Sequence, residues 1–254
     1  MSEIAPIIDI NAWTGHWSTF PLEGQVDVVR KSLKDIGVDQ IFLAPLHAVW
    51  GHNPHYCNRD VYAAAAKYDD VEPVPVLDPT IATWREELAR AGEQGVRLVK
   101  VLPAYSQYDL LEEEDFLAAL TEAGLILVVQ TRLEDIRRQH PLAQVPDTDP
   151  SVAVEVARRC PHMKVVIGGP TWSAIRGLCA TLLELDNLYA DVSQADGMDS
   201  MKVFVEEGLS GKLLFGTHAP LFTPLAGLAR VVPDIGDREA EAILGGNAAR
   251  LLKE

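Results

Sequence analysis

The chain has 254 residues, 48% of them hydrophobic, with three cysteines and a formal net charge of −15 at pH 7. That length suits one (β/α)8 barrel or two smaller domains, and it buries a large core without covalent staples. An acid excess with no basic stripe argues against nucleic acid as a partner, and no apolar run approaches the ~20 residues of a membrane span.

The opening MSEIAPIIDI has no basic segment and only a short apolar stretch, so no secretory leader is expected. Cys57, Cys160 and Cys179 form no CxxC pair and suit reduced thiols in a cytoplasm.

Short apolar runs occupy residues 5–10, 40–44, 71–77, 97–102, 125–129, 164–167, 188–192 and 212–215. Several are rich in Val and Ile on both faces, the pattern of strands buried on both sides of a parallel sheet. Helical segments are expected between them. Residues 24–36 place Val26, Val29, Leu33 and Ile36 on one face. Residues 79–92 follow Asp78-Pro79-Thr80, a cap and first turn. Further helices are expected over 112–123, 151–160, 173–185, 198–207 and 237–244, with small helical side chains at 63–66. Gly245-Gly246 reads as a turn before a last helix capped by Asn247.

Eight such repeats give either a closed barrel or an open doubly wound sheet. No GxGxxG follows the first run, and the count of eight favours a single (β/α)8 barrel. No linker-like or low-complexity tract divides the chain, so residues 1–254 are expected to form one domain. In such a barrel chemistry lies at the C-terminal strand ends.

The strand ends carry a family resemblance. Residues 7–15, IIDINAWTG, look like an opening IIDxHxHxG. Val74-Pro75-Val76-Leu77-Asp78-Pro79, Val99-Lys100-Val101, Leu127-Val128-Val129-Gln130-Thr131 and Val165-Val166-Ile167-Gly168-Gly169 are similar to strands three to six. Tyr189-Ala190-Asp191-Val192-Ser193 resembles YxDxS, Phe215-Gly216-Thr217-His218-Ala219-Pro220 resembles FGTDxP, and residues 243–251 match ILGGNAARL. In order along the whole chain, these motifs resemble the amidohydrolase-2 branch of the metal-dependent hydrolases, which implies a TIM barrel.

The resemblance also implies a metal site of two His after the first strand, one His each on the fifth and sixth, and an Asp on the eighth. This chain has Asn11, Trp13, Gln130, Gly169 and His218 there. Zinc takes imidazole, thiolate or carboxylate ligands, so no metal and no other cofactor is expected. His218, in the place of the Asp, is the candidate proton-transfer group, or else a neutral His filling the cavity. Lys100 is the second catalytic candidate, able to polarise a carbonyl, or else a lysine paired to Asp9 or Asp191.

Asn11, Trp13, Gln130 and Arg132 are candidate substrate-binding residues. Amides bind polar groups without titrating, and an arginine forks a carboxylate. Their structural alternatives are amide pairing, an aromatic plug, and an Arg132–Glu134 ion pair. His47, His52 and His55, with Tyr105, are further substrate-contact candidates. The H-x4-H-x2-H-x-C spacing that ends at Cys57 matches no structural zinc pattern.

The family has both hydrolase and lyase branches, including members that open lactones without metal. Three readings stay open: a metal-independent hydrolase or lyase of a small carboxylated or lactone-like molecule, an inactive barrel that binds a ligand or protein, and a hydrolase with a recruited metal. A small-molecule substrate, no nucleic-acid or membrane partner, and a homo-oligomer are the expected associations.

Overall fold

The computed structural model describes residues 6–253. Residue 5 of the first expected strand, and the first half of the segment read for a leader, lie outside them. Eight parallel strands follow in chain order: β1 (Ile8–Thr14), β2 (Gln40–Pro45), β3 (Val71–Pro73), β4 (Leu98–Val101), β5 (Ile126–Gln130), β6 (Val165–Gly168), β7 (Leu188–Asp191) and β8 (Leu213–Leu214). Each pairs with the next from β1 to β3 and from β4 to β8. A Val76–Lys100 bridge joins the two runs. Ile10 N donates to Phe215 O (3.0 Å) and His218 N to Asn11 O (3.0 Å), which closes the barrel between β8 and β1.

The two-residue period of each strand sorts its side chains. Leu127 and Val129 of β5 face the outer helices, and Ile126 and Val128 face the barrel axis. Val99 and Val101 of β4 face outward, and Leu98 faces inward. Continuing the inward rows to the C-terminal ends reaches Lys100, Gln130 and Asp191. The barrel interior is therefore apolar at its base and polar at its mouth.

β1 is irregular where it reaches the mouth. Its register against β2 shifts between Asp9 and Ala12. The cause is local: the Asn11 N–H donates to Asp9 Oδ1 (3.0 Å), leaving the ladder. A bulge of this kind re-aims a side chain.

Several helices differ from the sequence expectation. The segment after β3 does not start its helix at residue 79. Asp78 Oδ1 accepts from Thr80 N–H and Oγ1–H, making a local turn, and the helix is Trp84–Glu93. The stretch 173–185 breaks at Leu178 into Trp172–Gly177 and Cys179–Glu184. A helix at Pro224–Val231 stands where none was expected.

Gly245-Gly246 is not a turn: Asp237–Glu241 runs through a π-helical turn, Ala242–Gly246, into Asn247–Leu251. Asn247 does not cap. Its amide donates to Ser210 O (2.7 Å) and Leu213 O (2.8 Å), tying the helix to β8. Gly245 is needed for close approach, since a Cβ there would fall 1.6 Å from Pro6 O.

Candidate functional site

At the mouth, five strand ends meet in one hydrogen-bonded network. Asp191 Oδ2 accepts from Asn11 Nδ2 (2.8 Å) and from Gly169 N (2.8 Å), and its Oδ1 accepts from Ser193 N (2.8 Å). Asn11 Oδ1 accepts from Lys100 Nζ (2.7 Å). Nζ also lies 3.9 Å from the Trp13 ring centre, a cation–π distance. Trp13 Nε1 points at His218 Nδ1 (3.3 Å). Asn11, Trp13, Lys100 and His218 are each 0% exposed.

The protonation of these groups follows from burial. Burial pulls Lys100 down to about 7, against the opposing pull of Asp191 and Asp9. Burial raises Asp9 to about 6, while bonds from Thr217 and from the Asn11 backbone work the other way. His218 falls to about 3, again chiefly through burial. Its Nε2 lies 2.8 Å from Leu133 O, which only accepts, so Nε2 carries the proton and Nδ1 takes the Trp13 N–H. Both ring nitrogens are engaged, and the backbone of His218 sits at φ 59°, in the left-handed region. A general base needs a free nitrogen. In this geometry His218 is a neutral imidazole held through both ring nitrogens.

The residues that the resemblance sets at the metal positions offer a poor donor set for a divalent ion. Asn11 and Gln130 offer amides, Trp13 offers nothing, and His218 is occupied. Gln130 takes up the space beside Gly169, where a Cβ would lie 2.6 Å from Gln130 Nε2. Gly169 also has φ +62°, so a side chain there is strained twice over. Among the described residues no group of three His, Cys, Asp or Glu is placed to hold a metal ion.

Gln130 Nε2 donates to Arg132 O (2.7 Å), and Gln194 Nε2 donates to the same oxygen (2.9 Å). Arg132 does not pair with Glu134 as the sequence suggested. Its Nη2 meets Asp135 Oδ2 at 2.9 Å, and its Nε lies 3.8 Å from Asp147 Oδ2 with no hydrogen-bond partner. Glu134 turns inward instead and accepts from Trp17 Nε1 (2.9 Å) and Thr19 Oγ1 (3.0 Å). Lys100 likewise bonds Asn11, while Asp9 and Asp191 act on it through space.

The loop histidines lie apart from this network. His47 Nε2 pairs with Asp60 (3.2 Å), and the His47 and His16 rings stack 5.5 Å apart. His55 Nε2 accepts from Asp78 N (3.0 Å), and His52 is exposed. Among the described residues, the hydrogen-bond and ring partners of His218 are Trp13, Leu133, Gln194 and Phe222, not these histidines. Tyr105 and Trp50 both pack against Trp17, at 6.4 Å and 5.0 Å between ring centres. Trp172 packs over Gly197.

Beside the network is a cavity of about 220 Å³. Arg132, Arg138 and Arg230 line it with Asp135 and Asp196, and Gln194 and Phe222 complete the lining. Phe222 stands 5.2 Å from the His218 ring, so the cavity borders the network. Arg230 is fixed by bonds from Nη1 to Val192 O (3.0 Å) and Ser193 O (2.9 Å). Burial lowers its pKa from the usual arginine value. Each guanidinium has five N–H donors, and these bonds leave several unused. Gln194, Phe222 and Arg230 were missed by the sequence reading because they follow β7 and β8 with no periodic pattern to mark them.

The fold and strand-end geometry define a metal-dependent-hydrolase-like TIM barrel. A family model described as amidohydrolase matches residues 8–253, and the chain belongs to that family. Among solved structures, an uncharacterized TIM-barrel protein from Bordetella bronchiseptica is 19% identical over 98% of both chains, with a TM-score of 0.73. A 2,6-dihydroxybenzoate decarboxylase from Rhizobium is 16% identical, covering 98% of this chain and 99% of its own, with a TM-score of 0.73. A probable 2-pyrone-4,6-dicarboxylic acid hydrolase from Acinetobacter baumannii, with citric acid bound, is 15% identical over 98% and 99%, at 0.69. At these identities the likeness is one of fold. No curated protein matches the chain. No described helix is long and apolar enough to cross a membrane.

Proposed function

We propose that the protein recognises a small carboxylate without a metal, in the arginine-lined cavity beside the closed barrel mouth. The observation that carries this reading is the convergence of Arg132, Arg138 and Arg230 on one cavity next to His218. Planar guanidiniums with spare donors fit a carboxylate, and charge-assisted bonds of this kind are about twice as strong as neutral ones. Phe222 offers an apolar wall for the rest of the molecule. The solved neighbours named as a dihydroxybenzoate decarboxylase and a pyrone-dicarboxylic acid hydrolase act on carboxylated molecules, which supports the class of ligand. On this reading the ancestral site has become structural core, and the barrel binds more than it transforms.

The test is calorimetric titration with benzoate, 2,6-dihydroxybenzoate and citrate, run beside assays for carbon dioxide release and ester or lactone hydrolysis. Saturable binding without turnover is expected. No binding of any of the three would sink the reading.

A second reading, metal-independent hydrolysis or decarboxylation at the strand ends, is favoured by Lys100. Its amine is held near neutrality and so is able to exchange a proton at physiological pH. That reading requires the Trp13 ring to leave its place over Nζ. Turnover that survives chelation and vanishes in Lys100→Met would establish it.

A further inference from the structure

The segment between β1 and the helix Val26–Lys34, residues 15–24, forms no helix or strand. Its ends are tied together: Gly15 N donates to Gly24 O (2.8 Å), and so does Thr14 Oγ1 (2.8 Å). A surface loop with joined ends is an Ω-loop. Gly15, at φ 116°, makes the turn that lifts it off β1. In an eight-stranded barrel β1 and β5 stand on opposite sides of the mouth. The loop reaches across: Trp17 Nε1 (2.9 Å) and Thr19 Oγ1 (3.0 Å), which follow β1, both donate to Glu134, which follows β5. Trp17 also packs against Trp50, after β2, and Tyr105, after β4.

The attachment is narrow. Trp17 is 6% exposed, while every other residue from 16 to 23 is half-buried or exposed. Beyond the joined base, the hydrogen bonds from this loop to other elements converge on Glu134 among the described residues. Arg138 backs that carboxylate, with Nε 3.7 Å from Oε1 and its guanidinium 5.1 Å from the Phe20 ring. His16 adds its ring stack on His47. A segment held at so few buried points opens at lower cost than the strands beneath it. Beneath it lies the network: Trp17 shares a buried cluster with Trp13, whose ring covers Lys100. Leu133, the residue before Glu134, holds His218 through its carbonyl.

We propose that residues 15–24 are a strap over the barrel mouth, latched by Glu134, which opens without unfolding of the barrel and controls small-molecule access to Trp13 and Lys100. Loops that close over a barrel mouth in this way exclude water and select what enters. The strap does not depend on carboxylate recognition beside Arg132, and its test uses no carboxylate ligand.

Two readouts test it. The first is hydrogen exchange by NMR in the wild-type protein. The Trp17 Nε1–H reports the latch. The backbone N–H groups of Ile126 and Leu127, bonded to Arg97 O and Lys164 O, report the barrel. Trp17 protection is expected to be about tenfold or more below that of the strand amides. Glu134→Gln keeps an acceptor but loses the charge, so it should lower Trp17 protection a further threefold or so and leave the strand amides unchanged. The second readout is access. Held near neutrality, the Lys100 amine reacts with acetic anhydride once the reagent reaches it. The amine attacks the carbonyl carbon, acetate leaves, and the proton goes to solvent. Acetylation of Lys100, read by peptide mass spectrometry, should rise in Glu134→Gln by the factor that Trp17 protection falls. Lys31, exposed on the surface, should label equally in both proteins.

The proposal is overturned if the wild-type Trp17 indole is as protected as Ile126 and Leu127, because the loop then opens only with the barrel. It is overturned too if Trp17 loosens in Glu134→Gln with no change at Lys100, because the mouth then stays shut without the strap. Should the variant not fold, the wild-type protein decides: Lys100 must acetylate faster than the strand amides exchange.

Discussion

Two regions of the same barrel face use polar residues to opposite ends. In the Asn11–Lys100–Asp191–His218 network every side chain is hydrogen-bonded inside the barrel, and none of the four is open to solvent. In the arginine cavity, a few ångströms from the His218 ring, the guanidiniums keep unused donors around an open volume. Satisfied buried polar groups rigidify a core, and unsatisfied ones at a cavity invite a ligand. On the reading proposed above, the side chains at the strand ends hold the fold, and recognition falls to the cavity one layer outward.

The largest expected effect falls on the network. Asp191→Ala strands three donors, from Asn11, Gly169 and Ser193, in the barrel interior. Breaking a buried charged hub of this kind costs about 3–5 kcal/mol, read as a loss of denaturation midpoint. An effect below about 1 kcal/mol would show the network to be looser than its distances.

Gly169→Ala comes next. It meets Gln130 Nε2, Arg132 O and Gln194 Nε2 within 3.0 Å at a left-handed backbone. A cost of about 1–3 kcal/mol is expected. Relief is expected in the Gly169→Ala/Gln130→Ala double variant, measured as a non-additive cycle.

The pH dependence of stability sharpens the comparison. Lys100 is lowered from 10.5 to about 7 by burial, so between those values the folded chain holds fewer protons than the unfolded one. Its contribution is fully present above 10.5 and is lost as pH falls through about 7. Asp9, raised from 3.8 to about 6, has the opposite sign: its contribution is full below 3.8 and fades as pH rises through about 6. Lys100→Met should flatten the rise in unfolding free energy above neutrality, by up to about 1.4 kcal/mol per pH unit.

The smallest effect belongs to the cavity. Arg138→Gln, at a half-exposed side chain, should leave stability within about 0.5 kcal/mol and weaken carboxylate binding roughly three- to tenfold.

The sequence made the barrel legible because buried parallel strands leave apolar runs of strand length, and their inward rows end on Lys100, Gln130 and Asp191. Helix starts were less legible where a side chain competes for the backbone. Asp78 holds Thr80 in a turn and delays the helix to Trp84. The Pro224–Val231 helix was open to reading, since Thr223-Pro224 is a helix start.

At the site, the amides at 11 and 130 were visible, but they do not pair with each other as the sequence allowed: Asn11 bonds Asp191 and Lys100, and Gln130 bonds Arg132 O. What one sequence could not supply was the direction of Arg132. Asp135 lies one residue beyond Glu134 and Asp147 much further along the chain, and only the fold sends Glu134 to Trp17 and both aspartates to Arg132. The third wall of the cavity comes from Arg230, almost a hundred residues along the chain from Arg132 by position, and no local spacing joins them.

The most direct test of the central claim is a crystal structure of the protein soaked with benzoate. The account predicts a carboxylate within hydrogen-bond distance of Arg132, Arg138 or Arg230, with Trp13 still over Lys100. Benzoate seated on Lys100 and Asn11 with the Trp13 ring displaced would contradict it and return the chemistry to the barrel mouth.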